Sequence, residues 1–370
     1  MPRRPNLRRW RSFNGTTFES ANASGTVNGT YKLTDNTLTG NAKLTVQPAA
    51  LPPAIASRFD TPISIDTQIA GTIPSKINLS DLVVKSGTIE TAGSVVLDGE
   101  SLTASLSGRL PDVRKLLETA EGEASYTVNA SGPLTALAIK ANLKAATLRT
   151  AGRTLGDLDV NISGAADPDA PQGTINAKVT IDGQPISIVA DAQSKGGVIN
   201  VPSFSADVGS NRLRGNVQLS SRFEPTGALT FDFPDIGLLA ALGGQRAQGD
   251  LKGALDIAND NGKIALKVTA AGNGLQRDTF SIVRPDIAIT VTDLKALSAN
   301  GIVKAGEMSA GANKLTEPVL NFVQQQNRTK FDLNAAYDDN PVLAEAILKQ
   351  KQRDDDPARS IFRQTTQHSG

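Results

Sequence analysis

The sequence predicts an all-β protein, an elongated stack of short antiparallel strands with short helical inserts. Three observations support this class. Apolar and polar residues alternate with period two along many short segments, and turn residues separate these segments. Aromatic residues make up only 4% of the 370 residues. A chain of this length with so few large rings is expected to bury aliphatic side chains in many thin layers rather than in one thick core.

The clearest alternation lies in residues 211–270. Three apolar runs occur there, each with polar residues at the intervening positions, and turn residues such as Gly243 and Gly244 separate the runs. Each run therefore predicts a strand with one apolar and one polar face. The apolar face comprises Leu213, Val217, Leu219, Leu229, Phe231, Phe233, Leu251, Leu255, Ile257, Ile264, Leu266 and Val268.

The amino-terminal segment is basic. Residues 1–22 are predicted to form a disordered arm, because the arginines clustered in residues 1–14 repel one another. A solvated tail and a headgroup-binding arm are both compatible with this pattern. From residue 23 onward, alternating runs and turn pairs such as Asp98 with Gly99 predict antiparallel hairpins.

Two short helical inserts interrupt the strands, and similar phrases mark both. PDVRKLL begins at Pro111 and PDIGLLAAL at Pro234, and each is followed by a related phrase, AEGE at Ala120 and AQGD at Ala247. This similarity predicts a degenerate internal repeat, with segments 23–122, 123–250 and 251–335. The inserts are expected either to close the end of a repeat or to act as flaps over its apolar face.

The carboxyl-terminal part departs from the strand pattern. Residues 315–326 are predicted to be helical, and residues 336–370 are predicted to form a helical and disordered tail. Within that tail, residues 341–352 are an amphipathic helix candidate, and the charged, polar residues 353–370 favour disorder.

Composition argues against several functions. The formal net charge of +1 disfavours nucleic acid, which needs a concentrated basic surface. The chain has no Cys, and its single His is His368, so we expect no imidazole-based triad and no His/Cys metal site. The glycine runs lack the Lys of a phosphate-binding loop. We therefore expect a protein that is not an enzyme and carries no cofactor.

Remaining signals are weak. Carboxylate pairs such as Asp167 with Asp169 favour solvated turns, with weak Ca²⁺ binding as the alternative. No apolar run reaches 18 residues, so we expect no membrane-spanning segment, and the basic start lacks the apolar core of an export signal.

Several phrases resemble the TamB proteins of the AsmA-like superfamily. They are PDIGLLAALGG followed by QGDLKGALDI, and RFDTPISIDTQIAG ahead of SLTASLSGRLPDVRKLL, within roughly residues 45–335. The resemblance implies a periplasmic β-groove (a β-taco), apolar inside and open on one side. It also implies a cell-envelope protein, normally anchored in the inner membrane, that carries phospholipid between two membranes or assists outer-membrane protein assembly. The family's membrane helix and its partner-binding domain find no match in this sequence.

The residues themselves are compatible with three ways of covering the apolar face. A second sheet, closure of the sheet on itself, or a ligand inside a curled sheet would each cover it. An acyl chain of ~16 carbons would lose on the order of 12 kcal/mol if exposed to water, so an aliphatic trough suits phospholipid acyl chains as partners. The alternatives are a structural or adhesin-like β-array with a closed core, and a hydrolase with paired carboxylates. The hydrolase would need aromatic platforms in a cleft, and the single Trp, Trp10, is expected to lie outside the repeats.

Overall fold

The computed structural model describes residues 10–51, 56–115, 118–150, 152–167, 169–260, 262–296, 298–325 and 327–349. Within these residues the chain is all-β, and 27 strands belong to one open antiparallel sheet. The predicted class and its antiparallel pairing are confirmed. The chain divides into two compact units, Met1–Pro185 and Ile186–Gly370. The described part contains no helix with the length and hydropathy that crossing a membrane requires.

The first unit contains the strands β1 to β12, joined by hairpins. Two short 3-10 helices, Pro48–Ala50 and Val113–Lys115, interrupt them. The strands are β1 Trp10–Glu19, β2 Ala23–Lys32, β3 Thr37–Val46, β4 Ile63–Thr72, β5 Lys76–Lys85, β6 Glu90–Asp98, β7 Ser101–Leu110, β8 Ala120–Gly122, β9 Ala124–Pro133, β10 Leu137–Thr150, β11 Arg153–Ala166 and β12 Gln172–Ile181.

Pairing in this unit follows chain order almost throughout. β1 to β7 pair successively, β7 pairs with β9, and β9 to β12 pair successively. The short β8 pairs with the far end of β10. The predicted turn at Asp98 and Gly99 is confirmed, since Asp98 pairs with Ser101 across it and Gly99 has the positive φ of +57° that glycine tolerates.

The second unit contains the strands β13 to β27 and the helix α1 (Ile236–Leu242). The strands are β13 Gln184–Lys195, β14 Val198–Val208, β15 Asn211–Leu219, β16 Pro225–Phe233, β17 Gln248–Gly249, β18 Leu251–Asp260, β19 Lys263–Ala271, β20 Gly274–Arg277, β21 Phe280–Val283, β22 Asp286–Asp293, β23 Ser298–Lys304, β24 Glu307–Ala310, β25 Asn313–Gln325, β26 Arg328–Tyr337 and β27 Asn340–Lys349.

Two ladders run side by side in the second unit. The main ladder has the order β13-β14-β15-β16-β18-β19-β22-β23-β25-β26-β27. The side ladder has the order β17-β20-β21-β24 and ends on the first residues of β25. Because β25 pairs with β23 of the main ladder and with β24 of the side ladder, the two ladders belong to one sheet.

Three sequence predictions are wrong. Residues 315–326 and 341–352 were expected to be helical, but β25 and β27 occupy them as far as the structure describes them. The predicted arm at residues 1–22 contains β1, which pairs with β2 from Trp10 to Glu19. In each case backbone pairing with a neighbouring strand outweighs the local sequence preference. Residues 1–9 and 350–370 lie outside the described part, and the division into three repeat segments stays a prediction.

Candidate functional site

The candidate site is the apolar face of the main ladder in the second unit. Residues directly opposite each other in an antiparallel pair share a face. Leu213 lies opposite Phe231, Leu229 opposite Leu255, and Leu255 opposite Val268. With the alternation along each strand, this register places all twelve predicted residues on one face. We call it the apolar face.

Solvent exposure separates the two faces of these strands. Leu229 is buried, at 8% exposure, and the other eleven candidates are half-buried. On the opposite face of the same strands, residues such as Asn216, Thr230 and Lys267 are exposed. The apolar face is therefore the more enclosed of the two, although few of its side chains reach the burial of an ordinary core.

The apolar face continues beyond the predicted residues. One row crosses β16, β18, β19, β22, β23, β25, β26 and β27 with each residue opposite the next. Nothing polar interrupts it. The row consists of Leu229, Leu255, Val268, Ile289, Gly301, Phe322, Phe331 and Ala346.

Rings cover glycines on this face. Phe231 lies opposite Gly253, and a Cβ atom on Gly253 would lie 2.6 Å from Cζ of Phe231. Phe322 has the same relation to Gly301. The rings thus fill the space that the missing side chains leave, which keeps the apolar surface continuous.

Both ladders meet along a line of strand breaks, which we call the break line. Backbone hydrogen bonds continue across it, for example from the amide of Arg284 to the carbonyl of Asn273 at 2.8 Å. Pro285 and Pro318 are less than 2% exposed there. Residues inserted into a strand, such as Glu317 and Pro318 in β25, bend the strand and strengthen its twist. The line consists of Asp250, Gly272, Asn273, Arg284, Pro285, Ala305, Gly306, Glu317 and Pro318.

The side ladder adds a second apolar row, which the sequence analysis missed. Thr316 pairs with Ala336 and Val319 with Asn334, so the two residues between them form a bulge. This register puts Thr316 on the polar face and Leu315 on the apolar face. Opposed pairs link Leu315 to the rest of the row. The row consists of Leu275, Ile282, Met308 and Leu315, all half-buried.

The helix α1 is held to the strand ends by two residues. Asp235 caps its first turn, accepting a hydrogen bond from the amide of Leu238 at 3.0 Å. The side-chain amide of Asn211, 1% exposed, donates to the carbonyl of Asp235 at 2.9 Å and accepts from its amide at 3.0 Å. Leu238 lies against the turn at Gly209. The predicted insert at Pro234 is thus a helix anchored at the end of β15.

The insert at Pro111 is packed more deeply. Val113 is 7% exposed and belongs to a cluster of buried side chains. The cluster consists of Leu110, Val113, Ala120, Ala124, Ala145 and Leu148. This insert therefore closes the apolar face at the ends of β7, β9 and β10. Both inserts lead into a short strand that ends in a glycine of similar backbone conformation, with φ of +130° at Gly122 and +127° at Gly249.

The apolar face of the first unit contains two buried hydroxyls. Thr67, 4% exposed, donates to the carbonyl of Gln68 at 3.1 Å or of Ser80 at 3.0 Å. Thr91 and Tyr126 share a short hydrogen bond between their hydroxyl groups. Since each hydroxyl has a partner within the protein, burial carries little cost.

The polar face carries cross-strand ion pairs and two open cavities. The pairs include Arg109 with Glu90 at 2.6 Å and Arg214 with Asp207 at 2.6 Å. Arg109 lowers the pKa of Glu90 by hydrogen bonding. One cavity of about 740 Å³ lies over β1 to β5, and one of about 450 Å³ lies over β15 to β19. Within the described residues, no group of three or more His, Asp or Glu side chains is placed to hold a metal ion.

Comparison with models of known protein families and with curated proteins found no match to this chain. The resemblance to the TamB proteins therefore stays a prediction from the sequence phrases. The geometry above is an independent observation: a half-buried aliphatic surface without acid–base groups, opposite an exposed polar surface.

Proposed function

We propose that the apolar face lines a groove that shields phospholipid acyl chains from water. The observation that carries this proposal is the uninterrupted apolar row from Leu229 to Ala346. It crosses eight strands, which at ~4.8 Å per strand corresponds to roughly 34 Å. Each CH₂ group removed from water contributes ~0.8 kcal/mol, so a continuous row favours an extended hydrocarbon chain over a compact ligand.

Partial burial supports a ligand in place of a protein layer. In a closed core the residues of the inward face would be fully buried, whereas eleven of the twelve candidates are only half-buried. The break line would allow the sheet to curl, because bulges bend strands, and the side-ladder row, which includes Ile282 and Met308, lies on the same face as the main-ladder row.

The resemblance to TamB extends the proposal to the cell. The protein would act in the periplasm as part of the envelope, without enzymatic activity. It would carry phospholipid between the inner and outer membranes or assist outer-membrane protein assembly with a membrane partner. Cell fractionation of the full-length natural protein tests the location, and a cytoplasmic location would contradict this part of the proposal.

Lipid copurification tests the groove directly. The chain is expressed in a bacterium with two membranes, purified without detergent, and the bound lipids are measured by mass spectrometry. We expect bound phospholipid, and we expect Leu266→Asp and Phe231→Asp to lose most of it, because a carboxylate on the apolar face is costly to desolvate. Thr269→Asp and Thr230→Asp, at exposed positions on the polar face of the same strands, are the matched controls.

Two results would overturn the groove. One is a folded wild-type protein that retains no lipid. The other is unchanged lipid content in Leu266→Asp and Phe231→Asp variants whose circular dichroism is that of the wild type. If the Asp variants do not fold, Leu266→Asn and Phe231→Ser replace them, since a neutral polar side chain interrupts the row at smaller cost.

An adhesin-like binding surface remains the second candidate. One observation favours it: both described cavities open on the polar face and not on the apolar face. A protein of this class would purify without lipid and bind its ligand through the exposed face. The same copurification experiment therefore distinguishes the two candidates.

A further inference from the structure

We infer that the polar face of β1 to β5 carries a binding site for a neutral oligosaccharide. The site is the cavity of about 740 Å³ on this face. Phe18, Leu44 and Ile65 also border the cavity, but the strand register puts their side chains on the opposite face of these strands, away from those of Ser24, Thr45 and Ser64.

Its floor is a row of aligned polar side chains. Glu19 lies opposite Ser24, Ser24 opposite Thr45, Thr45 opposite Ser64, and Ser64 opposite Lys85. The row spans five strands, or about 19 Å at ~4.8 Å per strand. It therefore presents three hydroxyl groups at the regular spacing of the strands, flanked by a carboxylate and an ammonium group. A linear chain of sugar rings repeats hydroxyl groups in a comparable way.

These hydroxyls are available to a ligand. Within the described residues, the side chains of Ser24, Thr26 and Thr45 make no hydrogen bond to protein, although all three are half-buried. Ser64 makes only a long hydrogen bond, 3.3 Å, to the carbonyl of Lys85. Solvent reaches these hydroxyl oxygens, so water can satisfy them in the free protein and a sugar can replace that water, because a hydroxyl both donates and accepts, as the hydroxyls of a sugar do.

Charge selects a neutral ligand. The cavity holds two acidic and two basic side chains, so its lining has no net charge. Lys43 and Asp66 pair with each other at 3.2 Å. Glu19 and Lys85 lie at opposite ends of the row, too far apart to form a pair, and each can accept or donate hydrogen bonds to a sugar. A phosphate or nucleic-acid ligand would need an excess of basic groups, which the lining lacks.

Saturation-transfer NMR with cellohexaose and chitohexaose tests the site, and isothermal titration gives the affinity. The exposed ring on this face, Trp10, lies at the other end of β1 from Glu19 and does not line the cavity, so we expect a dissociation constant on the order of 1 mM and much weaker binding of glucose. Thr45→Val removes a hydroxyl at nearly constant shape and should weaken binding about tenfold. Ser24→Ala is the second variant if Thr45→Val does not fold. Thr103→Val, exposed on the same face of β7, is the matched control and should bind as the wild type does.

Three outcomes would overturn the inference. The first is the absence of saturation transfer to either hexasaccharide at 10-fold excess over the expected ~1 mM dissociation constant. The second is unchanged affinity in folded Thr45→Val and Ser24→Ala variants, which would place binding elsewhere. The third is preferential binding of a sulfated hexasaccharide, which would show that charge and not hydroxyl alignment controls binding.

Discussion

The ring of Phe231 covers Gly253, the residue opposite it on the neighbouring strand. A Cβ atom on Gly253 would lie 2.6 Å from Cζ of the ring and closer still to the carbonyl oxygen of Thr269. Only glycine therefore allows the ring and the neighbouring backbone to approach this position together. The pair keeps the apolar face continuous where no side chain is present.

Gly253→Ala is expected to destabilise the protein by about 2–4 kcal/mol, because the added methyl group meets backbone that cannot move freely. Urea unfolding followed by circular dichroism measures the change. Gly274→Ala is the matched control, since a Cβ there would first meet the carbonyl oxygen of Ile282 at an ordinary 3.5 Å. Equal midpoints for the two variants would contradict the role of the Phe231–Gly253 contact.

Asn211→Ala should lower stability by about 2–4 kcal/mol. The substitution removes a side chain that is only 1% exposed and leaves the amide and carbonyl of Asp235 without the partner that holds them. Thermal unfolding measures the loss, and Asn216→Ala, exposed on the same strand, should change it little. A loss of less than about 0.5 kcal/mol would show that α1 is anchored by other contacts.

Val113→Ala tests how firmly the first insert closes the apolar face. Val113 packs in the cluster with Leu110 and Leu148, so we expect a loss of about 1–3 kcal/mol from the cavity that the substitution leaves. Val323→Ala removes the same atoms from a side chain that is 45% exposed and should cost far less. If the two costs are equal, the insert is loosely attached, as a flap would be.

Asp159 is expected to titrate below the usual range of an aspartate. The side-chain amide of Asn142 donates to it at 2.6 Å, and this hydrogen bond is the main cause of its lowered pKa, with Lys144 adding to it. NMR titration of the carboxyl group measures the pKa, and Asn142→Ala should raise it. An unchanged value in the variant would contradict the assignment.

The same shift has a defined effect on stability. Because the folded-state pKa lies below the unfolded value of ~3.9, the stabilisation is fully present above that value and is lost as the pH falls through the folded-state pKa. Thermal unfolding between neutral pH and pH 2 should therefore show a smaller acid loss in Asp159→Asn than in the wild type. A larger loss in the variant would reverse the sign of this argument.

The strands were predictable because their apolar face repeats every second residue. The same rule failed at residues 315–326 for a physical reason. The bulge before Val319 shifts the alternation by one residue, so Leu315 and Leu320 share a face although an odd number of positions separates them, and the segment shows no regular period of two. A Pro inside the segment, Pro318, was the available signal, since proline in a strand marks an edge or a bulge.

The prediction at residues 341–352 failed for a different reason. β27 carries apolar residues on both faces, with Leu343 and Ile347 on one and Ala344 and Ala346 on the other. Such a run has no period of two, and its Ala, Leu, Glu and Lys residues favour a helix. Its structure is decided by hydrogen-bonded pairing with β26, the strand that precedes it. Single-segment reasoning has no access to that contact.

The side ladder escaped sequence reasoning because its strands are only two to four residues long, apart from the first residues of β25. Runs this short do not establish an alternation. The sequence feature that marks them is the recurrence of Gly, Asn and Pro between apolar runs, as at Gly272, Asn273 and Pro285. The same residues are typical of ordinary turns. Only the alignment of these breaks across neighbouring strands identifies them as one feature.

Hairpin order has a consequence for how such a molecule changes in length. Nearly every strand hydrogen-bonds to a strand that adjoins it in the sequence. If one hairpin of two strands is removed from such a series, the two flanking strands can still pair antiparallel with their apolar faces on the same side. Gene duplication or loss of a hairpin is thus a conservative event. The ladder of β1 to β7, which pairs strictly in chain order, could thus grow or shrink in steps of two strands, or about 10 Å, without a change of fold.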